Sequence, residues 1–190
     1  PFSLISVLAV AWVMFFHPVQ RPAFSQRPTR IEHQANTMEF DKRLGDNVRR
    51  LKGNVIFTHD ESVMQCDSAY LYSDTNSLKA FSNVRIQIND TINIYGDILD
   101  YRGNEKTATL TGNVKMVDPQ MTLTTSRLVY DLNNNTARYT TGGVIVDREN
   151  ELRSVFGLYN ADSKEFFFRD KVVLVNPQYI MHSDTLKYNT

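Results

Sequence analysis

The chain has 190 residues, and its 21 Lys and Arg are matched by 21 Asp and Glu, which excludes the basic excess that binding to nucleic-acid phosphates requires. A hydrophobic content of 42% with 22% charged residues describes an ordinary folded chain rather than a disordered one. Cys66 is the only cysteine, so no internal disulfide can form.

Leu4 to Phe16 is apolar apart from Ser6. Thirteen helical residues at about 1.5 Å each span roughly 20 Å, short of the ~30 Å core of a bilayer. That length suits the apolar region of an export signal, and Ala23-Phe24-Ser25 before Gln26 supplies the small-x-small pattern of a cleavage site. Residues 1–25 are therefore expected to be a signal peptide, with a short uncleaved anchor as the alternative. Residues 26–47 are polar, contain Pro28 and show no period, the composition of a linker.

From residue 48 to residue 190 the chain repeats itself. Gly53-Asn54-Val55, Ser82-Asn83-Val84, Gly112-Asn113-Val114, Gly142-Gly143-Val144 and Asp170-Lys171-Val172 place a valine every 28 to 30 residues. Twelve or thirteen residues after each valine comes a second anchor, Asp67, Asp97, Ser126, Gly157 or Asp184. Each is followed by apolar residues two and four positions on, as in Leu99 and Tyr101 after Asp97. Within each unit the period is two. Val84, Ile86 and Ile88 alternate with Arg85, Gln87 and Asn89, which is strand spacing. Turn residues such as Asp74-Thr75-Asn76, Asn89-Asp90, Asp118-Pro119 and Asn176-Pro177 cut the region into roughly ten strands. Most are broken midway by an anchor whose Gly or Asn accepts positive φ, so each strand is expected to bend at a corner. The pattern predicts an all-β wrap with its apolar face inward: a jellyroll, a solenoid or a barrel. Residues 144–146, 166–168 and 172–175 are apolar on both faces, so their inward parity stays open.

Paired G-N-V and D-x-L-x-Y anchors in phase behind an export signal resemble the OstA/LptA family of lipopolysaccharide-transport proteins. The resemblance spans about residues 48–190 and rests on recurrence rather than on any single short motif. It implies an open-ended β-jellyroll of about five ~30-residue two-strand repeats, periplasmic, exported, and associated with the inner or outer membrane. It also implies lipopolysaccharide as the cargo, with acyl chains in an apolar groove. Partners would be related β-jellyroll domains, or a second copy, stacked edge to edge. Gly157 in place of an acidic residue, and Asp170-Lys171 in place of Gly-Asn, depart from the pattern and point to locally different corners. Other readings are the periplasmic portion of an outer-membrane β-barrel protein and a β-solenoid scaffold without lipid transport.

A hydrocarbon chain offers no hydrogen bonds, so its carrier needs only a continuous apolar surface shielded from water. The candidate lining is Val55, Phe57, Ala69, Leu71, Val84, Ile86, Ile88, Ile94, Leu99, Val114, Met116, Leu123, Leu128 and Leu186. Taken one at a time, each reads equally as plain core.

No enzyme signature is found. His17, His33, His59 and His182 lack metal-ligand spacing, and His59, before Asp60-Glu61-Ser62, reads as a solvated turn residue. Asp67, Asp97 and Asp184 share one repeat position, as corner residues would and a unique catalytic acid would not. Cys66 reads as a small buried hydrophobe. No phosphate loop, nucleophile elbow or cofactor motif occurs. The expected protein is a cofactor-free scaffold with no catalytic residue and no metal.

Overall fold

A computed structural model describes residues 29–40, 43 and 45–189. The proposed signal segment, residues 1–25, lies outside the described residues. Every regular element among those described is a strand, and all strands join in one antiparallel sheet.

Six long strands run as a meander: β3 (Val48–His59), β4 (Ser62–Tyr72), β5 (Ser77–Ile88), β6 (Ile92–Arg102), β7 (Thr107–Val117) and β8 (Met121–Asp131). Two bent paths follow, each split into two strands. One is β9 (Thr136–Tyr139) with β10 (Gly143–Asp147), both paired to β8; the other is β11 (Asn150–Ser154) with β12 (Phe156–Asn160). Both halves of the second path pair with β13 (Glu165–Asn176), which pairs in turn with β14 (Tyr179–Asn189).

The segment expected to be a linker is not one throughout. Within it, β1 (Glu32–Gln34) pairs with the second half of β3, and β2 (Thr37–Phe40) pairs with the first half. Together they make one further bent path, broken at Asn36 opposite the corner of β3. Asn36 takes the place that Asp67 and Asp97 hold in later units: its backbone N–H donates to the Gly53 carbonyl at 2.9 Å, and its side-chain oxygen faces the Asn54 amide as Asp67 faces Asn83. Its successors Met38 and Phe40 stand two and four residues on, the same signature as after Asp97. Pro28 and a run of polar residues masked an anchor that was in phase.

The sheet folds on itself at the corners. In β3, β5, β7 and β13 two successive residues take positive φ: Gly53 and Asn54, Ser82 and Asn83, Gly112 and Asn113, Asp170 and Lys171. The ladder slips register at each of these points. The halves of each strand before and after its corner belong to two facing walls. The first wall carries residues such as Leu78, Ala80, Leu99 and Tyr101; the second carries Val84, Ile86, Ile94 and Met116. All eight are buried.

Corner side chains tie neighbouring strands together. The Asn83 amide donates to the Asp67 carboxylate at 2.7 Å, and Asn113 to Asp97 at 2.8 Å. The recurring acid is thus a structural corner residue, as its repeat position implied. At Gly112, φ is +77°, and a Cβ would run into the Asp97 side chain, so this corner requires glycine.

The fourth unit departs for a visible reason. The Tyr139 ring lies across Gly157, where a Cβ would come within 2.6 Å of its hydroxyl, and the same ring covers Gly143. Tyr139 Oη and Ser154 Oγ share a hydrogen bond of 2.6 Å, and Ser154 Oγ donates to the Phe156 carbonyl at 2.9 Å. An aromatic ring fills the corner that a carboxylate fills elsewhere, which leaves room only for glycine. Asp170-Lys171 keeps the two-residue left-handed bend without glycine or asparagine, at φ of 67° and 54°.

Parity is settled throughout. Ile145, Leu152, Phe166, Phe168, Val172 and Leu174 are buried, whereas Val146, Phe167 and Val175 are exposed on the outer surface. Apolar residues thus point in and polar ones out, the reverse of a lipid-facing barrel.

Gly157→Ala forces a methyl into the Tyr139 ring and is expected to lower stability by about 1–3 kcal/mol. Lys171→Gly relieves a left-handed lysine and is expected to add about 0.5–1 kcal/mol. Urea unfolding followed by circular dichroism measures both, and equal midpoints for the two variants would contradict this account of the corners.

Candidate functional site

The inner face is built from two cross-strand ladders. On the second wall Phe57 pairs with Met64, and the ladder continues through Ile86, Ile94, Met116, Leu123, Ile145, Leu152 and Leu174 to Met181. On the first wall Met38 leads through Leu51, Ala69, Ala80, Leu99 and Leu110 to Leu128. At about 4.8 Å per strand, a ten-strand ladder is a continuous apolar stripe roughly 43 Å long.

Of the candidate lining residues, Val55, Phe57, Val84, Ile86, Ile88, Ile94, Val114, Met116 and Leu123 stand on the second wall. Ala69, Leu71, Leu99, Leu128 and Leu186 stand on the first. All are buried except Leu186, which is partly buried and packed against the core. Leu51, Met64, Leu78, Ala80 and Leu110 belong to the same face and were not singled out, although each lies in phase with a chosen neighbour. The two walls pack directly: Phe57, Ile94, Leu99, Met116 and Leu128 are at most 0% exposed. A guest can reach this face only if the walls part.

At the ends of the sheet the face opens. Met38 is 50% and Phe40 63% exposed on β2, and Tyr179 is 53% exposed on β14.

Opposite the corners, the strand tips of the two walls meet in a polar seam. His59 Nδ1 lies 2.6 Å from Tyr101 Oη. Tyr159 Oη donates to the Asp118 carboxylate at 3.1 Å, and Tyr188 Oη to Asp147 at 2.5 Å. These pairs join residues 41 or 42 apart, always a first-wall tyrosine to a second-wall tip three bent strands earlier. Lysines in the adjoining turns add Lys106–Asp60 at 2.7 Å and Lys164–Asp118 at 3.0 Å. Hydrogen bonds from Lys106 and Thr29 hold the Asp60 carboxyl below its ordinary value.

His59 is therefore not the solvated turn residue that its neighbours suggested. It is 2% exposed, because it continues the inward alternation of Val55 and Phe57. Tyr101, Tyr130 and Tyr159 are packed in the core, and Tyr101 and Tyr159 serve the seam besides. Tyr159 stacks on Phe166 at 4.2 Å, and Phe166 on Phe168 at 5.1 Å. Burial raises the hydroxyls of Tyr101 and Tyr130 above the usual phenol range, and burial with the Asp147 contact pushes Tyr188 up to about 12. These hydroxyls are therefore held protonated.

Burial also pushes the Cys66 thiol up to about 11, so it is held protonated at neutral pH. Among the described residues no group of three His, Cys, Asp or Glu side chains is placed to hold a metal ion.

The model of a family described as OstA-like protein matches residues 29–184. Among solved structures, the chain is similar to LptH, described as the LptA-homologous periplasmic component of the conserved lipopolysaccharide transport device from Pseudomonas aeruginosa. That alignment is 18% identical, covers 56% of this chain and 79% of that one, and has a TM-score of 0.51, a likeness of fold alone. The wild-type TCP10 domain of CPAP from Danio rerio aligns over 81% of this chain and 100% of that one at 10% identity, but its TM-score of 0.14 carries no weight. No curated protein matches the chain.

Tyr159→Phe removes a donor from a buried carboxylate and is expected to cost about 1.5–3 kcal/mol. Tyr130 is 0% exposed, and its hydroxyl has no hydrogen-bond partner among the described residues. Tyr130→Phe should therefore raise stability by about 1 kcal/mol. Opposite signs in thermal or urea unfolding test the seam, and equal losses would refute it.

Proposed function

Since the chain belongs to the OstA-like protein family, we propose that it is a periplasmic scaffold carrying lipopolysaccharide between the inner and outer membranes, its acyl chains held against the inner face. The observation that carries this reading is the unbroken apolar ladder from Phe57 to Met181, which crosses every bent strand from β3 to β14. A core needs only to be apolar somewhere; a conduit needs to be apolar along one line and accessible at its ends. Met38 and Phe40, on the facing wall at one end of the sheet, and Tyr179 at the other end are exposed, so the inner face is open at both ends. Each buried methylene of a guest contributes about 0.8 kcal/mol, so acyl chains can compete with closure of the walls without any charged contact to their hydrocarbon.

The same ends supply the partners. Among the described residues β14 pairs on one side only, with β13, and the split path β1/β2 pairs only with β3. Unpaired backbone donors and acceptors on both edges suit end-to-end addition of a second copy or a related β-jellyroll, which would lengthen the apolar line across the junction.

Photo-crosslinking to lipopolysaccharide tests the reading, with a photoreactive residue placed singly at Ile86, Leu99 or Leu128 and at the outward positions Arg85, Gln87 or Lys115. Adducts at the three inward positions alone are the expected result. A folded protein that gives none at any position is a β-scaffold whose inner face is only core.

A further inference from the structure

The seam has one unlatched unit. Three first-wall tyrosines reach a polar partner three bent strands back: Tyr101 to His59, Tyr159 to Asp118 and Tyr188 to Asp147. The same offset places Ile88 opposite Tyr130. Isoleucine accepts no hydrogen bond, and the Tyr130 hydroxyl is the one buried side-chain polar atom without a partner among the described residues. The lysine is missing as well. Lys106 and Lys164 stand five residues after Tyr101 and Tyr159, and each pairs with an aspartate of the opposite tip. Five residues after Tyr130 stands Asn135, whose amide instead donates sideways to Asp162 at 2.9 Å. At this place, between the turn after β5 and the turn after β8, lies a cavity of about 300 Å³ lined by Ile88, Asn89, Leu132 and Asn135 together with Asp60, Glu61, Ser62 and Lys106.

We propose that this gap is a lateral portal through which the hydrocarbon chain of an amphiphile enters the inner face. The inference rests on the carrier reading above and adds where the walls part first. Opening at a latched unit breaks a tyrosine hydrogen bond, and at two of them a lysine–aspartate pair also. Opening at Ile88 and Tyr130 breaks neither, and it hydrates a hydroxyl that the closed form leaves unpaired. Water and lipid therefore meet the least resistance at this point. Ile88 also begins an apolar path: it pairs with Ile92 on the second wall, next to the ladder residue Ile94.

The test is stopped-flow uptake of cis-parinaric acid, a fatty acid that fluoresces on entering an apolar site, by the full chain. Ile88→His supplies Tyr130 with the partner that Tyr101 has in His59. Asn135→Lys supplies the missing lysine from the surface, without touching the core, and keeps the test valid should the first variant fold poorly. Each variant is expected to slow uptake about fivefold to tenfold, and Asn135→Lys, which lies outside the apolar lining, to leave the final fluorescence amplitude unchanged. Uptake at the parent's rate in the folded variants overturns the portal and leaves the carrier standing. No uptake by the parent itself overturns both, so the two failures are told apart by the parent measurement alone.

Discussion

Everything in this fold depends on keeping one face apolar through a bend. A strand that turns a corner by simple curvature keeps its alternation, but two strands of unequal path length around the corner lose register, and a one-residue slip would turn an apolar row outward. The chain meets this in two ways. In β5, β7 and β13 the corner takes two left-handed residues, and the buried rows on either side are four residues apart, as in Ala80 to Val84. In the intervening strands the buried rows are separated by an odd number, three from Cys66 to Ala69 and five from Ile94 to Leu99 and from Leu123 to Leu128. There the parity inverts within the bulge. Alternating the two devices lets every strand face inward on both walls, and the Asn–Asp bonds at the corners fix which residues are skipped.

Much of this was legible in the residues. Valines spaced near thirty, each twelve or thirteen residues ahead of a second anchor, gave the strands, the bends and the inward rows, because strand parity and turn chemistry are local properties. Asn36 was equally legible by phase, yet proline and polar neighbours outweighed it. His59 misled for a related reason: its charged neighbours belong to the turn, whereas its own position belongs to the strand. Gly157 could not be understood from sequence at all. Its reason is the Tyr139 ring, eighteen residues away on a neighbouring strand, and only the folded sheet brings the two together. The facing of the two walls, and so the pairing of each tyrosine with its tip, is likewise a property of the whole bend.

The distribution of polarity across the interior has a physical logic. Apart from the Tyr139–Ser154 bond at one corner, the hydrogen bonds and ion pairs that fasten one wall to the other gather at the strand tips, while the rows between tips and corners are hydrocarbon. A directional bond either holds or breaks, but apolar contact can be exchanged for contact with another hydrocarbon at little cost. Placing the directional bonds along one margin gives the walls a hinge at the corners and a fastening opposite. The interior can then trade partners without leaving a polar group stranded at its centre.

The tyrosine ties also set an order in time. His59 and Tyr101 are 42 residues apart, so the first bent strands cannot be fastened until more than a further unit of chain is present. A polypeptide released from its N-terminus onward holds its earliest apolar rows open to water throughout that interval. Closure then advances as a travelling front that stays about one and a half units behind the emerging chain. Ties of such long sequence separation raise the entropic cost of closure and slow folding. The nascent form of this protein is thus a partly open trough, a state in which a shielding companion or an early guest would find the inner rows most accessible.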